Sequence, residues 1–238
     1  MKILITLITV LSLLTCDKKE KISIDNDYFL IGTLSDYMGR EKYKNVSERV
    51  DKYSQSERQL CLAIDSIFKN SFPDLEFSSS TNKISKKDEF ELHSKLLAEK
   101  IETFYSYKPS GRMAYNGQTE FEKLNLDSLT KTSDFYTTNF DTIYTGSLKL
   151  DVFKTENQKV SFVTGAYVRF GWQTDSIFHI RVFNSASKVR ILNDLLKELG
   201  CTNVDYEIKK GYIPTGHTVS FIPTKQLNDY FEKYKKLK

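Results

Sequence analysis

The stretch Phe162-Val163-Thr164-Gly165-Ala166-Tyr167-Val168-Arg169-Phe170-Gly171-Trp172, followed after Gln173-Thr174-Asp175-Ser176 by Ile177-Phe178-His179-Ile180-Arg181-Val182-Phe183, decides how the chain is read. In its first part Phe162, Ala166, Val168, Phe170 and Trp172 alternate with Gly165, Tyr167, Arg169 and Gly171. In its second part Phe178, Ile180 and Val182 alternate with His179 and Arg181. A period of two places alternate side chains on opposite faces of a pleated strand. Gly171 to Ser176 supplies turn residues between the two runs, so the pattern predicts an antiparallel hairpin with 162–172 and 177–183 as its arms. Runs at 135–144 and 147–153 are expected to extend the same sheet.

Downstream the period changes. Val189, Leu192, Leu195, Leu196 and Leu199 recur at helical spacing, Ser185 or Ser187 offers a cap, and Gly200 stands where a helix-terminating glycine belongs. Residues 204–208 and 219–222 read as two more strands. Thr224 caps a last helix whose apolar side carries Leu227, Tyr230, Phe231, Tyr234 and Leu237. The order at the C-terminal end is strand, strand, helix, strand, strand, helix. That order argues an α+β fold in which helices lie on one face of a largely antiparallel sheet.

Upstream, Ser54 and Glu57 have capping-box spacing ahead of Leu60, Ala63, Ile64, Ile67 and Phe68, and Pro73 marks the end of that helix. A second such box at Ser85 and Asp88 precedes Phe90, Leu97, Ile101 and Phe104, read as one further helix that would carry His93 on a polar flank. Residues 28–34 fit either a strand or a helix. Pro109, Gly111, Asn116 and Gly117 make 107–118 a loop and the natural division of the chain. The expected organisation is therefore 28–106 as a helical region and 119–238 as the α+β region, which could pack together as one domain.

The first residues carry a separate message. Lys2 precedes an apolar run from Ile3 to Leu14, too short for a membrane span of about 20 residues. Residues 1–15 thus read as an export signal. Leu13-Leu14-Thr15-Cys16 resembles the bacterial lipobox, with Thr15 in place of the usual Gly, Ala or Ser. The charged run Asp17 to Lys21, together with 28 Lys against 7 Arg, is similar to the start of lipoproteins of the Bacteroidota. The resemblance implies acylation at Cys16, a tether over 16–27, and residence in the cell envelope as an outer-membrane lipoprotein, with the bilayer as partner.

For chemistry the sequence offers little. His93, His179 and His217 form no zinc-binding spacing, there is no GxSxG elbow and no phosphate loop. No metal, cofactor or catalytic residue is assigned. Cys61 and Cys201 read either as buried thiols or as a disulfide. The net charge of +4 is mild and no dense basic cluster stands out, so nucleic acid is not expected as a partner. If the hairpin packs one face inward, Tyr167, Arg169, His179 and Arg181 share its open face, a cationic aromatic surface suited to protein binding. The function expected is accordingly a membrane-anchored, non-catalytic protein-binding lipoprotein, specifically an immunity-type protein that neutralises a toxin. The alternative is an envelope hydrolase with His179 or His217 as base.

Overall fold

The computed structural model describes residues 23–36, 39–42, 48–81, 86–115, 140–209, 211 and 215–238. The expected signal peptide and Cys16 lie outside them. Among the described residues six α-helices and ten strands form three antiparallel sheets, the α+β class that the strand and helix periods imply.

One plan is used twice. The first unit runs α1 (Asn26–Thr33), β1 (Glu41–Lys42), β2 (Arg49–Ser54), α2 (Arg58–Phe68), β3 (Glu76–Thr81), β4 (Asp88–His93) and α3 (Lys95–Glu102). The second runs α4 (Glu156–Phe170), β7 (Gly171–Thr174), β8 (Ile177–Phe183), α5 (Ala186–Glu198), β9 (Thr202–Glu207), β10 (Gly216–Ile222) and α6 (Lys225–Tyr234). Between them stand β5 (Tyr105–Tyr115) and β6 (Phe140–Leu148), which pair with each other. The second unit's sheet has the order β7-β8-β10-β9, and the first unit's has β2-β4-β3. These agree strand for strand except that β1, the counterpart of β7, pairs instead with β6 in the separate sheet β1-β6-β5.

Several expectations are corrected here. Residues 162–170 are not the first arm of a hairpin but the body of α4. The helix starts at a capping box, in which Thr155 Oγ1 accepts from the Gln158 amide and Gln158 Oε1 accepts from the Thr155 amide. It is packed on α1 on one side and on the second sheet on the other, so Phe162, Val163, Ala166 and Val168 are all buried. A helix buried all round has no polar stripe to reveal its 3.6-residue period. The hairpin exists in shortened form, β7 against β8, closed by Asp175 and Ser176 with Asp175 at φ +53°. Residues 107–115 belong to β5 rather than a loop, and 116–118 lie outside the described residues. Residues 140–148 extend the β1-β6-β5 sheet, not the one carrying β8. Residues 28–106 hold, besides α1 to α3, the four strands β1 to β4, and His93 ends β4 instead of riding on a helix. The undecided segment 28–34 is largely α1, capped by Asp25, whose carboxylate accepts from the Asp27 and Tyr28 amides. Cys61 and Cys201 are free and buried.

The helices that open the two units, α1 and α4, pack directly together. A methyl group on Gly32 would lie 2.2 Å from the Phe162 carbonyl oxygen, and one on Gly165 would lie 2.1 Å from that of Phe29. Each glycine therefore admits the backbone of the other helix, and any side chain there must drive the pair apart. Around this contact the core gathers Leu30, Ile31 and Leu34 of the first unit with Phe162, Ile180 and Phe221 of the second. Gly165→Ala is expected to cost about 1–3 kcal/mol through overpacking. Urea unfolding should show a lower midpoint with an unchanged slope, and an undiminished midpoint would contradict the close backbone approach.

Candidate functional site

Two places concentrate polar side chains. The first lies where α1 ends against α4 and α5. The last carbonyls of a helix lack intrahelical donors and carry partial negative charge. Here the second unit supplies the donors. Lys188 of α5, fully buried, donates from Nζ to the Ile31 carbonyl at 3.0 Å and to that of Leu34, and lies 3.7 Å from Asp36 Oδ2. Arg169 of α4 donates to the Thr33 carbonyl at 2.6 Å, to Asp51 at 2.7 Å, to Glu57 at 2.7 Å and to the Lys52 carbonyl, with its guanidinium 4.1 Å from the centre of the Tyr53 ring.

The two acids of this cluster diverge. Burial raises the Asp36 carboxyl above its ordinary 3.8, because a lysine at 3.7 Å, Arg40 and a 2.7 Å bond from Tyr105 do not offset desolvation. Asp51 is equally buried. It nevertheless stays below 3.8, since Arg169 and two bonds from Ser35 outweigh the same penalty. Burial also lowers the Lys188 ammonium to about 8, against the pull of Asp36.

The second place is the outer face of β7-β8-β10-β9. Phe178, Ile180 and Val182 of β8 and His217, Val219 and Phe221 of β10 point inward and are buried. The opposite face presents Trp172, His179 and Arg181 with Thr218 and Ser220. The rings of Trp172 and His179 stack at 4.9 Å and 17°, and the Arg181 guanidinium carbon sits 4.9 Å from the Trp172 ring centre. His179 Nδ1 and Ser220 Oγ are 2.8 Å apart, and Arg181 reaches Thr218 Oγ1 at 3.5 Å. Ile177 and Phe183 flank the group, each about two-fifths exposed (40% and 43%).

Of the four residues assigned to an open binding face, the structure places His179 and Arg181 there and removes the other two. Tyr167 lies on α4, stacked on Phe231 at 4.1 Å, and Arg169 is the buried cation just described. Trp172, Thr218 and Ser220 were missed as members of the face. The signal was the two-residue turn: Thr174 pairs with Ile177, so Trp172 must stand opposite His179. As for a hydrolase, no carboxylate among the described residues orients His179, and His217 is buried with Nδ1 unpartnered and its pKa lowered by burial and by Arg190. Among the described residues no catalytic triad is assembled around either imidazole.

No protein-family model and no curated protein matches the chain. Solved structures do. A variant of I-DmoI in complex with its target DNA in the presence of manganese superposes with a TM-score of 0.50 at 10% identity, covering 89% of this chain and 93% of that one. Mesophilic variants of the homing endonuclease I-DmoI give 0.49 at 11% identity, covering 90% and 97%. Full-length DUF199/WhiA from Thermatoga maritima gives 0.45 at 12% identity, covering 89% of this chain and 56% of that one. At such identities the likeness to the DNA-bound structure is one of fold.

That likeness corrects the functional expectation. The exclusion of nucleic acid loses its ground, because the fold found here is one that in I-DmoI is seen on DNA. The reading as a membrane-anchored, non-catalytic protein-binding or immunity-type lipoprotein, with a bilayer and a toxin as partners, is set aside with it. No helix of the described residues is long and apolar enough to cross a membrane.

The manganese in that comparison raises the question of a metal site. Among the described residues no group of three or more His, Cys, Asp or Glu is placed to hold an ion. The two buried carboxylates, Asp36 and Asp51, already face Lys188 and Arg169. A divalent cation would have to displace a resident ammonium or guanidinium, so the donor set does not fit one.

Two measurements test the charge cluster. Arg169→Ala leaves Asp51 buried with its guanidinium gone, and should cost about 3–5 kcal/mol in urea denaturation. Because Asp51 is held below 3.8, its contribution is present above that pH and lost as the pH falls further. The stability gap between the parent and Asp51→Asn should accordingly close in acid, and a gap that persists there would contradict the assignment.

Proposed function

We propose that the protein binds double-stranded DNA through the outer face of β7-β8-β10-β9. The observation that carries the reading is the exposed group of Trp172, His179 and Arg181 beside the hydroxyls of Thr218 and Ser220, on a fold shared with a DNA-bound structure. A two-stranded ribbon is the right width for the major groove, which is about 12 Å across. The β7–β8 ribbon brings a guanidinium that can pair in two-pronged fashion with a guanine edge. It also brings an imidazole and hydroxyls able to meet either bases or phosphate oxygens. Arg181 makes no ion pair with a carboxylate among the described residues, and its bond to Thr218 Oγ1 uses Nε, so its terminal nitrogens are available. The acidic groups of this sheet's described residues are Asp205 and Glu207 on the edge strand β9 and Asp175 at the tip of the β7–β8 ribbon.

With few cations on the face, phosphate neutralisation is modest and affinity for random sequence falls in the weak range, with Kd of about 10⁻⁴–10⁻⁶ M. Fluorescence anisotropy with a labelled mixed-sequence duplex should detect binding that weakens as salt is raised. Arg181→Ala should lose about 1–3 kcal/mol of affinity for sequences in which it meets guanine. Absence of duplex binding at low salt, or a folded Arg181→Ala that binds every sequence as the parent does, would refute the reading.

A further inference from the structure

Along the outer face of β8 the residues run Ile177, His179, Arg181 and Phe183, since Phe178, Ile180 and Val182 are buried on the other side. Register places the two apolar members at opposite ends. Ile177 stands opposite Thr174 beside the hairpin turn, and Phe183 stands opposite Gly216 at the far end of the strand.

The members of this row are not equally engaged. His179 is stacked on Trp172 and contacts Ser220, so the sheet itself occupies its ring. Arg181 and Phe183 lie side by side over bare backbone: a methyl group on Gly216 would stand 3.1 Å from Arg181 Cδ and 3.4 Å from Phe183 Cε1. Ile177 and Phe183 remain 40% and 43% exposed. Single exposed apolar side chains are ordinary, but two on one strand, with an arginine between them, form a patterned contact surface. The major groove offers the matching pattern. There thymine alone among the four bases shows a methyl group, and guanine shows a pair of acceptors that a guanidinium can bridge. Building on the DNA reading above, we infer that Ile177 and Phe183 determine the sequence specificity of this face by packing on thymine 5-methyl groups to either side of a guanine held by Arg181.

Strand geometry sets the offsets. Outward residues of a strand recur about every 6.5–7 Å, against about 3.4 Å of axial rise per base pair and somewhat more along the curving floor of the groove. Ile177 therefore stands about 13 Å from Arg181, and Phe183 about 7 Å from it on the other side. The methyl groups belong about three to four base pairs from the guanine in the direction of Ile177 and about two in the direction of Phe183. Because the two offsets differ, the preferred sequence has a direction, which fits a single ribbon lying in the groove.

Selection of a randomised duplex library on the full chain, followed by anisotropy on the recovered sequence, is the direct test. A guanine with thymines at the two unequal offsets is expected. Replacing either thymine by deoxyuridine removes only the 5-methyl group and keeps the base pair. Each replacement should weaken binding about three- to four-fold, the worth of one buried methyl group. Ile177→Ala should abolish the uracil penalty at the farther position and keep it at the nearer one, and Phe183→Ala should do the reverse. A general loss of stability would not produce that exchange, and circular dichroism checks that each variant is folded. Recovered sequences without such thymines, uracil duplexes bound as tightly as the originals, or folded variants that keep both penalties would overturn the assignment while leaving DNA binding intact. So would a parent that sediments as a dimer which Ile177→Ala with Phe183→Ala dissolves, because the two side chains would then be occupied by a second copy. A chain that binds no duplex would overturn both readings.

Discussion

The backbone-to-backbone approach of α1 and α4 is the constraint from which the rest of the structure follows. Gly32 and Gly165 let two carbonyl-bearing surfaces touch, which fixes the relation of the two units and buries both helices on nearly every side. Burial at that junction leaves the carbonyl end of α1 without water. Arg169 and Lys188 answer that need, and Asp36, Asp51 and Glu57 balance them. The charges thus sit inside because the helices are close, and their geometry differs enough that one acid is ionised more readily than usual and the other less.

Much of the second unit was legible from residue spacing. The leucine stripe of α5, its terminal Gly200 at φ +78°, and the Thr224 cap of α6, whose Oγ1 accepts from Leu227, all stand where the periods put them. The capping box at Ser54 and Glu57 starts α2 by way of one short helical turn. What misled was α4. Its residues alternate in size by chance of composition, while burial on two opposite sides erases the polar stripe by which a surface helix is known. The Thr155 and Gln158 box ahead of it was the available clue. In the first unit β4 carries period-two alternation, Phe90 and Leu92 against Glu89, Glu91 and His93, but the Ser85–Asp88 spacing imitated a helix start. Ser94 is the true cap, its Oγ accepting from the Leu97 amide.

The candidate face was half legible for the same reason. His179 and Arg181 follow from alternation along β8, which needs no knowledge of its neighbours. Their companions depend on register, and register depends on the length of the turn. Reading six turn residues in place of two moved Trp172 to the wrong side and brought in Tyr167 and Arg169, which belong to a helix. Ser220 enters only through long-range pairing of β10 with β8, a relation that spacing along the chain does not encode.

The traffic of charge across the junction runs one way. Both cations that cross it, Arg169 and Lys188, come from the second unit, and the carbonyls and carboxylates that receive them all belong to the first or to the turn that follows its opening helix, whose own Arg40 stays within the first unit. Severed between β5 and β6, the later fragment would strand a guanidinium and an ammonium in apolar surroundings, and the earlier one would expose the groove cut by its glycine. Neither piece is expected to fold by itself, and despite its internal repetition the chain should unfold in a single cooperative step, with each half serving as the other's missing interior.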